Sequence, residues 1–329
     1  MAAVITARLM NVNGGTISTQ TAFECNISRH RHDAAATLSV LLPFVRMATP
    51  PVTVRIFEGS ATLFSGQIDR IETIRDHRGA FLRIRARTRG AVLADNECHP
   101  GGTVGDQWMA DYQRAMRQEY GIDFIHQHNE FMNDHVRFNV GTSEWEKMRI
   151  LNWSALGVFP MFTEEDLVWN LPNLSSSTIT FSDTAANANN RYVRIEHFDR
   201  RENLVSVVST LQEGQNFGRY VDVAWDNIAA NEFNVRRIRH LAFRNFGTRS
   251  GGDYSAVRRA RQEINRRRSG AFGYVIRVPG NFNIRNLQRV RINDSALGDL
   301  QSLFVGRYSH ILNGDGRFTE IEAWPVRDF

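Results

Sequence analysis

Two groups of histidines are the first residues whose types suggest chemistry. His30-Arg31-His32-Asp33 and the set His126, His128 and His135 carry imidazole and carboxylate groups of the kind that hold zinc. Zinc sites place their ligands at i, i+4 on a helix or in paired Cys/His knuckles, and neither set has that spacing. Three acids in a row, Glu164-Glu165-Asp166, invite comparison with a glycosidase, which needs two carboxyl groups flanking the scissile bond. Consecutive acids in a turn read instead as a solvated loop. No G-x-S-x-G elbow, phosphate-binding loop or dinucleotide fingerprint occurs. The residues therefore name no catalytic group, no metal ligand and no cofactor, and the expectation is a protein that is not an enzyme.

Arginine offers the other chemistry. Lys147 is the single lysine, so 39 of the 40 basic residues are arginine, and the net charge is +5. Arginine favours fixed, forked pairing with carboxylates or phosphates, as at protein interfaces or on a polyanion. Two clusters stand out. Arg83, Arg85 and Arg87 alternate with Leu82, Ile84 and Ala86, which puts three guanidinium groups on one face of a strand. Arg258, Arg259, Arg261, Arg266, Arg267 and Arg268 crowd a helix spanning Tyr254 to Arg268, whose apolar stripe is Val257, Ala260 and Ile264. That helix is a candidate phosphate contact or interface. It lacks the interleaved aromatics of a base-stacking platform, and pairing with acids such as Glu263 is the plainer reading.

The elements that position these clusters follow from periodicity. Val52 to Arg87 reads as an antiparallel meander: Val54 and Ile56 alternate with polar residues, Phe64 and Ile68 flank a break at Ser65-Gly66, and Glu58-Gly59-Ser60 and Asp76-His77-Arg78-Gly79 form turns. Further strands are expected around Val4 to Val12, Phe23 to Ile27 and Thr37 to Val45. From Val104 to Tyr120 the spacing is helical, with Gly121 as its stop. A second helix starts at the S-x-x-E capping box Ser143 to Glu146 and ends at Gly157, and residues 158 to 171 read as a hairpin. Residues 173 to 190 read as a linker. Strands resume around 192–195, 204–211 and 220–225, residues 236–246 fit either a helix or an extended arm, and strands at 273–278, 289–292, 304–310 and 317–323 close the chain.

A chain of 329 residues that is 42% hydrophobic can bury an ample core and holds two or three domains. Its longest apolar run, Leu38 to Val45, is too short to span a bilayer, and MAAVITARLM lacks the form of a secretory signal. Synthesis in a cytoplasm without stable membrane insertion is expected. Cys25 and Cys98 read as core residues rather than a disulfide framework.

Laid in order, these elements resemble the hub proteins of phage tails, the family that includes late control protein D, the baseplate hubs of Mu-like and T-even phages, and the hub part of type VI secretion spikes. The likeness rests on three places: Ile56-Phe57-Glu58-Gly59 with Leu63-Phe64-Ser65-Gly66-Gln67-Ile68, then Ser143-Glu144-Trp145-Glu146-Lys147-Met148, then Arg277-Val278-Pro279-Gly280-Asn281 with Val305-Gly306-Arg307-Tyr308-Ser309-His310 and Phe318 to Ala323. One departure is Asn283 to Gln288, where many members carry a glycine-containing turn.

The resemblance implies an α+β, mainly β fold with two tube-forming β-barrel domains and an α+β insertion between them. Residues 1–97 would form the first barrel, 98–175 the insertion, 176–252 a second strand-rich domain with an irregular segment, and 253–329 the basic helix and closing strands of the second barrel. It further implies a structural virion protein in the tail baseplate or tip. There a homotrimeric ring would join the tail tube protein to the central spike protein, meet baseplate proteins, and leave a channel for the tape measure protein and for DNA in transit. Within such a ring Arg83, Arg85 and Arg87 are candidates for a subunit interface. A channel wall that DNA slides past should not grip phosphate, because each neutralised phosphate adds salt-sensitive affinity. A peptidoglycan hydrolase and a nucleic-acid-binding module acting through the basic helix are the alternatives.

Overall fold

Val54 and Ile56 on β5 (Thr53–Glu58) and Leu82, Ile84 and Ala86 on β7 (Gly79–Arg87) are each at most 2% exposed, while the residues between them reach the surface. In this computed structural model the described residues are 4–98, 103–104, 107–126, 131–132, 136–137, 141–156, 159–165, 167–169, 174–184, 190–213, 220–244, 260–261, 263–268 and 270–325. The meander is present, and the bulge or corner expected near Gly66 takes the form of irregularities within a continuous middle strand. One strand, β6 (Ala61–Asp76), runs through Ser65-Gly66, and its irregularities lie on either side, with register shifts against Ile56/Phe57 and between Ile68 and Arg70. Gly66 serves a close approach instead: a Cβ there would sit 2.4 Å from the Arg87 carbonyl oxygen and 2.6 Å from the Phe64 ring.

β1 (Ile5–Met10), β2 (Thr16–Thr21), β3 (Glu24–His30) and β4 (Thr37–Pro43) complete the first half in the order β3-β4-β7-β6-β5-β1-β2. Leu9 of β1 and Ile27 of β3 stand far apart in that order yet share one core with Phe64 and Ile84, so the sheet curls on itself. Both cysteines are buried, as expected, and burial pushes the Cys25 thiol up to about 12.

α1 (Ala91–Asp95), which precedes the insertion, packs with the insertion's α2 (Met109–Tyr120) and α3 (Glu144–Leu156) around Tyr112, Met116, Trp145 and Met148. α2 begins later than Val104 and ends as its sequence requires, with Gly121 in the left-handed region at φ 62°. The Ser143 hydroxyl accepts the Glu146 N–H at 3.1 Å, which caps α3. The expected hairpin is a short ladder of Met161-Phe162 with Val168-Trp169. Gly157 lies outside the described residues.

The second half curls in the same way around Phe181, Ile276, Val305 and Ile321. Its strands follow the order Arg194–Asp199, Phe272–Pro279, Gly316–Pro325, Gly298–Asn313, Arg289–Asp294, Thr178–Ser182, the last pair parallel. Thr178–Ser182 corrects the expectation of a linker at 173–190. Where the family's glycine turn is replaced, Leu287 itself adopts a left-handed φ of 63°. Its side chain is 1% exposed beside Phe304 and Trp324, and that burial offsets a conformation costing about 1–3 kcal/mol.

The halves are joined by hydrogen bonds. β3 pairs antiparallel with Gly298–Asn313 from Cys25↔Leu312 to His30↔Arg307, so thirteen described strands form a continuous sheet. Among the described residues no ladder closes either curl, and a single bridge from Ser182 to Arg191 comes nearest to closing the second.

A smaller sheet sits beside this one. Val207–Glu213 pairs antiparallel with Tyr220–Trp225 and parallel with Ile238–Arg244, which makes that part of 236–246 a strand rather than a helix or arm. The helical residues 260–261 and 263–268 pack on it through Ala260 and Ile264, against Val205, Val208, Ala224 and Leu241.

Candidate assembly surface

The outer faces of β3, β4, β7 and β6 form one broad polar surface, because their alternate residues are consumed by the first core. Register places Arg85 beside Ser39 on one side and Arg70 on the other, with Asn26 one strand further. Together with Arg307 across the seam these residues line an open groove of about 950 Å³.

The three arginines of β7 are not equivalent there. Arg87 is consumed within the chain: Nε and Nη2 bond Asp69 at 2.8 and 2.9 Å, and Nη1 and Nη2 bond the two oxygens of Asp95 at 2.8 Å each. These hydrogen bonds raise the Arg87 guanidinium above its usual range and hold the Asp95 carboxyl below the ordinary carboxylate value. No ion pair joins Arg83 or Arg85 to any described residue, and Arg85 is exposed. The strand face thus carries two guanidinium groups without an ion pair to any described residue rather than three.

The basic helix is engaged from within. Arg258 and Arg259 lie outside the described residues, and Arg261 is exposed. Arg266 binds Glu263 through Nε and Nη2 at 2.8 Å each, Arg267 binds the same carboxylate at 2.9 Å, and Arg239 approaches it at 3.3 Å. Burial alone would raise the Glu263 carboxyl, but the hydrogen bonds from Arg266 and Arg267 outweigh it and the group lies below its usual range. Arg268 reaches Asp226, 1% exposed, with Nε to Oδ2 at 2.6 Å. Arg266 and Arg268 thus give two nitrogens each to acids of the chain, whereas Arg267 gives Glu263 its Nε alone.

His30, His32 and Glu164, whose types suggested chemistry, are built into the frame. His30 pairs with Asp33 at 3.5 Å, and the His32 carbonyl accepts Trp145 Nε1 at 3.2 Å. His128, His135 and Asp166 lie outside the described residues. Glu164 is not a solvated turn residue, because its Oε1 accepts the Tyr308 hydroxyl at 3.0 Å while Arg29 donates to the Thr163 and Glu164 carbonyls at 3.4 Å each. No group of His, Cys, Asp and Glu among the described residues could hold a metal ion, and no described helix is long and apolar enough to cross a membrane.

No protein-family model matches this sequence, and no curated protein does. Solved structures do. A tail protein from Neisseria meningitidis MC58 superposes with a TM-score of 0.74 at 14% identity, covering 99% of this chain and 97% of its own. The 43 kDa tail protein of prophage MuSo2 from Shewanella oneidensis superposes at 0.72 with 13% identity, covering 98% of each. An E. coli component of the type VI secretion system, described as similar in structure to T4 bacteriophage tail proteins, superposes at 0.52 with 10% identity over 93% of this chain and 74% of its own. The chain has the fold of these tail proteins, mainly β with an α+β insertion, as its sequence resemblance implied.

Proposed function

We propose that this chain is the central hub of a phage tail or of a phage-derived contractile particle, a structural protein without an active site. One observation carries the reading: the fold matches two phage tail proteins over nearly the whole length of both partners. In this reading three copies form a ring between the tail tube and the central spike, held by baseplate proteins, and the tape measure protein and DNA pass through its lumen. The protein is made in the host cytoplasm and resides in the virion tail. Residues 1–97 and the closing 253–329 then supply barrel walls, 98–175 the insertion, and 176–252 the remaining strands.

Arg83 and Arg85 meet acids of the neighbouring copy, which suits arginine's enrichment at protein interfaces and the absence of an internal ion pair at either residue. The mechanism is mechanical: the ring matches threefold to sixfold symmetry, seals the tube end, and opens when the spike departs. Mass photometry and cryo-EM of the purified chain test it, with threefold rings expected alone or with tube and spike proteins. A chain that stays monomeric with both partners present would overturn the proposal.

A further inference from the structure

Where β3 hands over to Gly298–Asn313, a cleft of about 260 Å³ opens beside Trp324. Remote parts of the chain meet there: His30 at the end of β3 and His32 after it, Arg200 after Arg194–Asp199, Arg266 and Arg267 on the basic helix, and Arg307 on the seam strand. The Trp324 ring lies 5.7 Å from that of His30 and 6.3 Å from that of His32, which stacks on it at 25°.

The cations of this cleft outnumber the acids that reach them. Glu322 Oε1 accepts both Arg200 Nη1 and Trp324 Nε1 at 3.1 Å. Glu263 is divided between Arg266 and Arg267. Arg307 has a neutral partner only, Nε to Ser28 Oγ at 3.3 Å. Four guanidinium groups therefore face two carboxylates, and the terminal nitrogens of Arg267 and Arg307 have no hydrogen-bond partner among the described residues. His32 Nε2 is buried without a hydrogen-bond partner as well. Burial, followed by the positive charges of Arg31, His30, Arg149 and Arg266, holds that imidazole well below its usual range. Orphaned donors in a surplus of positive charge mark a place for an ion.

We propose that this cleft is an oxyanion site, taking one phosphate or carboxylate group between Arg267 and Arg307. Forked guanidinium groups match the paired oxygens of such anions. The size selects a small group, since clefts that enclose drug-sized molecules measure roughly 300–1,000 Å³. Its occupant comes either from solution as free phosphate or from another protein as an acidic side chain. The site ties the basic helix to the seam whether or not the chain is a tail hub.

The test is a melting-temperature and calorimetric titration of the full chain with sodium phosphate against sodium chloride at equal ionic strength. A saturable rise specific to phosphate is expected, with binding about tenfold or more weaker in the double variant Arg267→Gln/Arg307→Gln. Should that variant misfold by circular dichroism, Arg307→Gln alone, whose internal partner is Ser28, reads the same effect. A parallel titration with glutarate assigns the source: competition with phosphate points to an acidic side chain, and its absence to free phosphate. No saturable response beyond chloride, or an unchanged response in the folded variants, would overturn the site.

Discussion

Asn281 Nδ2 donates to Glu58 Oε2 at 2.8 Å across 223 residues of sequence, and Arg317 Nη1 donates to the other oxygen of the same carboxylate. Glu58 closes β5 in the opening meander, Asn281 belongs to the Pro279-Gly280-Asn281 turn, and Arg317 starts the last strand. Two of the motifs that carried the family resemblance are thus clipped together by one side chain. The clip is one-fifth exposed, so it should be worth more than a surface ion pair. Glu58→Ala is expected to cost about 2–3 kcal/mol, as for lost hydrogen bonds to a charged group, and Asn281→Ala about 1 kcal/mol. Urea unfolding at pH 7 measures both; a Glu58→Ala protein as stable as wild type would show that the two halves hold without it.

Arg85 and Arg87 sit two residues apart on one strand and should fail in opposite ways when reversed. Arg87→Glu sets a carboxylate against Asp69 and Asp95, so it should destabilise the monomer by about 2–4 kcal/mol. Arg83→Glu/Arg85→Glu breaks no ion pair among the described residues and sets one carboxylate opposite Glu72, itself paired with Arg70, so the monomer should stay within about 1 kcal/mol of wild type while assembly is lost. Circular dichroism reads the first effect and mass photometry the second. An intact trimer carrying the double reversal would remove these residues from the interface.

Local rules made part of this legible. Leu82, Ile84 and Ala86 declared a strand by alternation, Gly121 a helix end by its free backbone, and Ser143 a cap by spacing; each depends on neighbours a few residues away. The seam is different, because the pairing of His30 with Arg307 spans most of the chain and leaves no periodic trace. The same reason hid the partners of Arg268 and Glu164, which are buried acids or hydroxyls brought in by topology. Leu287 hid a left-handed turn because its burial replaces the glycine that would have announced it. Ile238–Arg244 mixes apolar and basic residues at no clear period, and pairing with Val207–Glu213 fixes it as a strand.

His310 gives the fold a sensitivity to acid. Its ring is held down to about 4, first by burial and then by the positive charge of Arg29, against 6.5 for the free side chain. The Thr319 hydroxyl donates to the Gly280 carbonyl at 2.9 Å, so at 3.1 Å it accepts from His310 Nδ1–H. Between pH 6.5 and about 4 the unfolded chain binds a proton that the folded chain refuses. The full stability is therefore present above 6.5 and declines as pH falls through this window, by at most about 3 kcal/mol. His32, displaced in the same direction, adds to the slope. His310→Asn should flatten part of it, as read by chemical unfolding at half-unit pH steps; equal slopes in the two proteins would refute the assignment.

Tyr308, 2% exposed on the seam strand, fixes the insertion to the sheet through Glu164 Oε1. Burial and then the Glu164 charge hold its phenol well above the usual value, so it is a donor at neutral pH. Tyr308→Phe leaves the carboxylate without that donor and should cost about 1–2 kcal/mol. Glu164→Gln keeps an acceptor for the hydroxyl and should cost less. Since both changes act on one contact, which Glu164→Gln weakens and Tyr308→Phe removes, the double variant should fall short of their sum, with a coupling of up to about 1 kcal/mol. Limited proteolysis adds a local readout: cleavage in the turn after Thr163 should quicken in Tyr308→Phe while the strands of the sheet stay protected. The same variants separate docking from the hydrolase alternative on a peptidoglycan gel. A lytic band lost in Glu164→Gln and kept in Tyr308→Phe would make Glu164 a catalytic acid; purely additive stabilities with unchanged proteolysis would remove its role as the anchor.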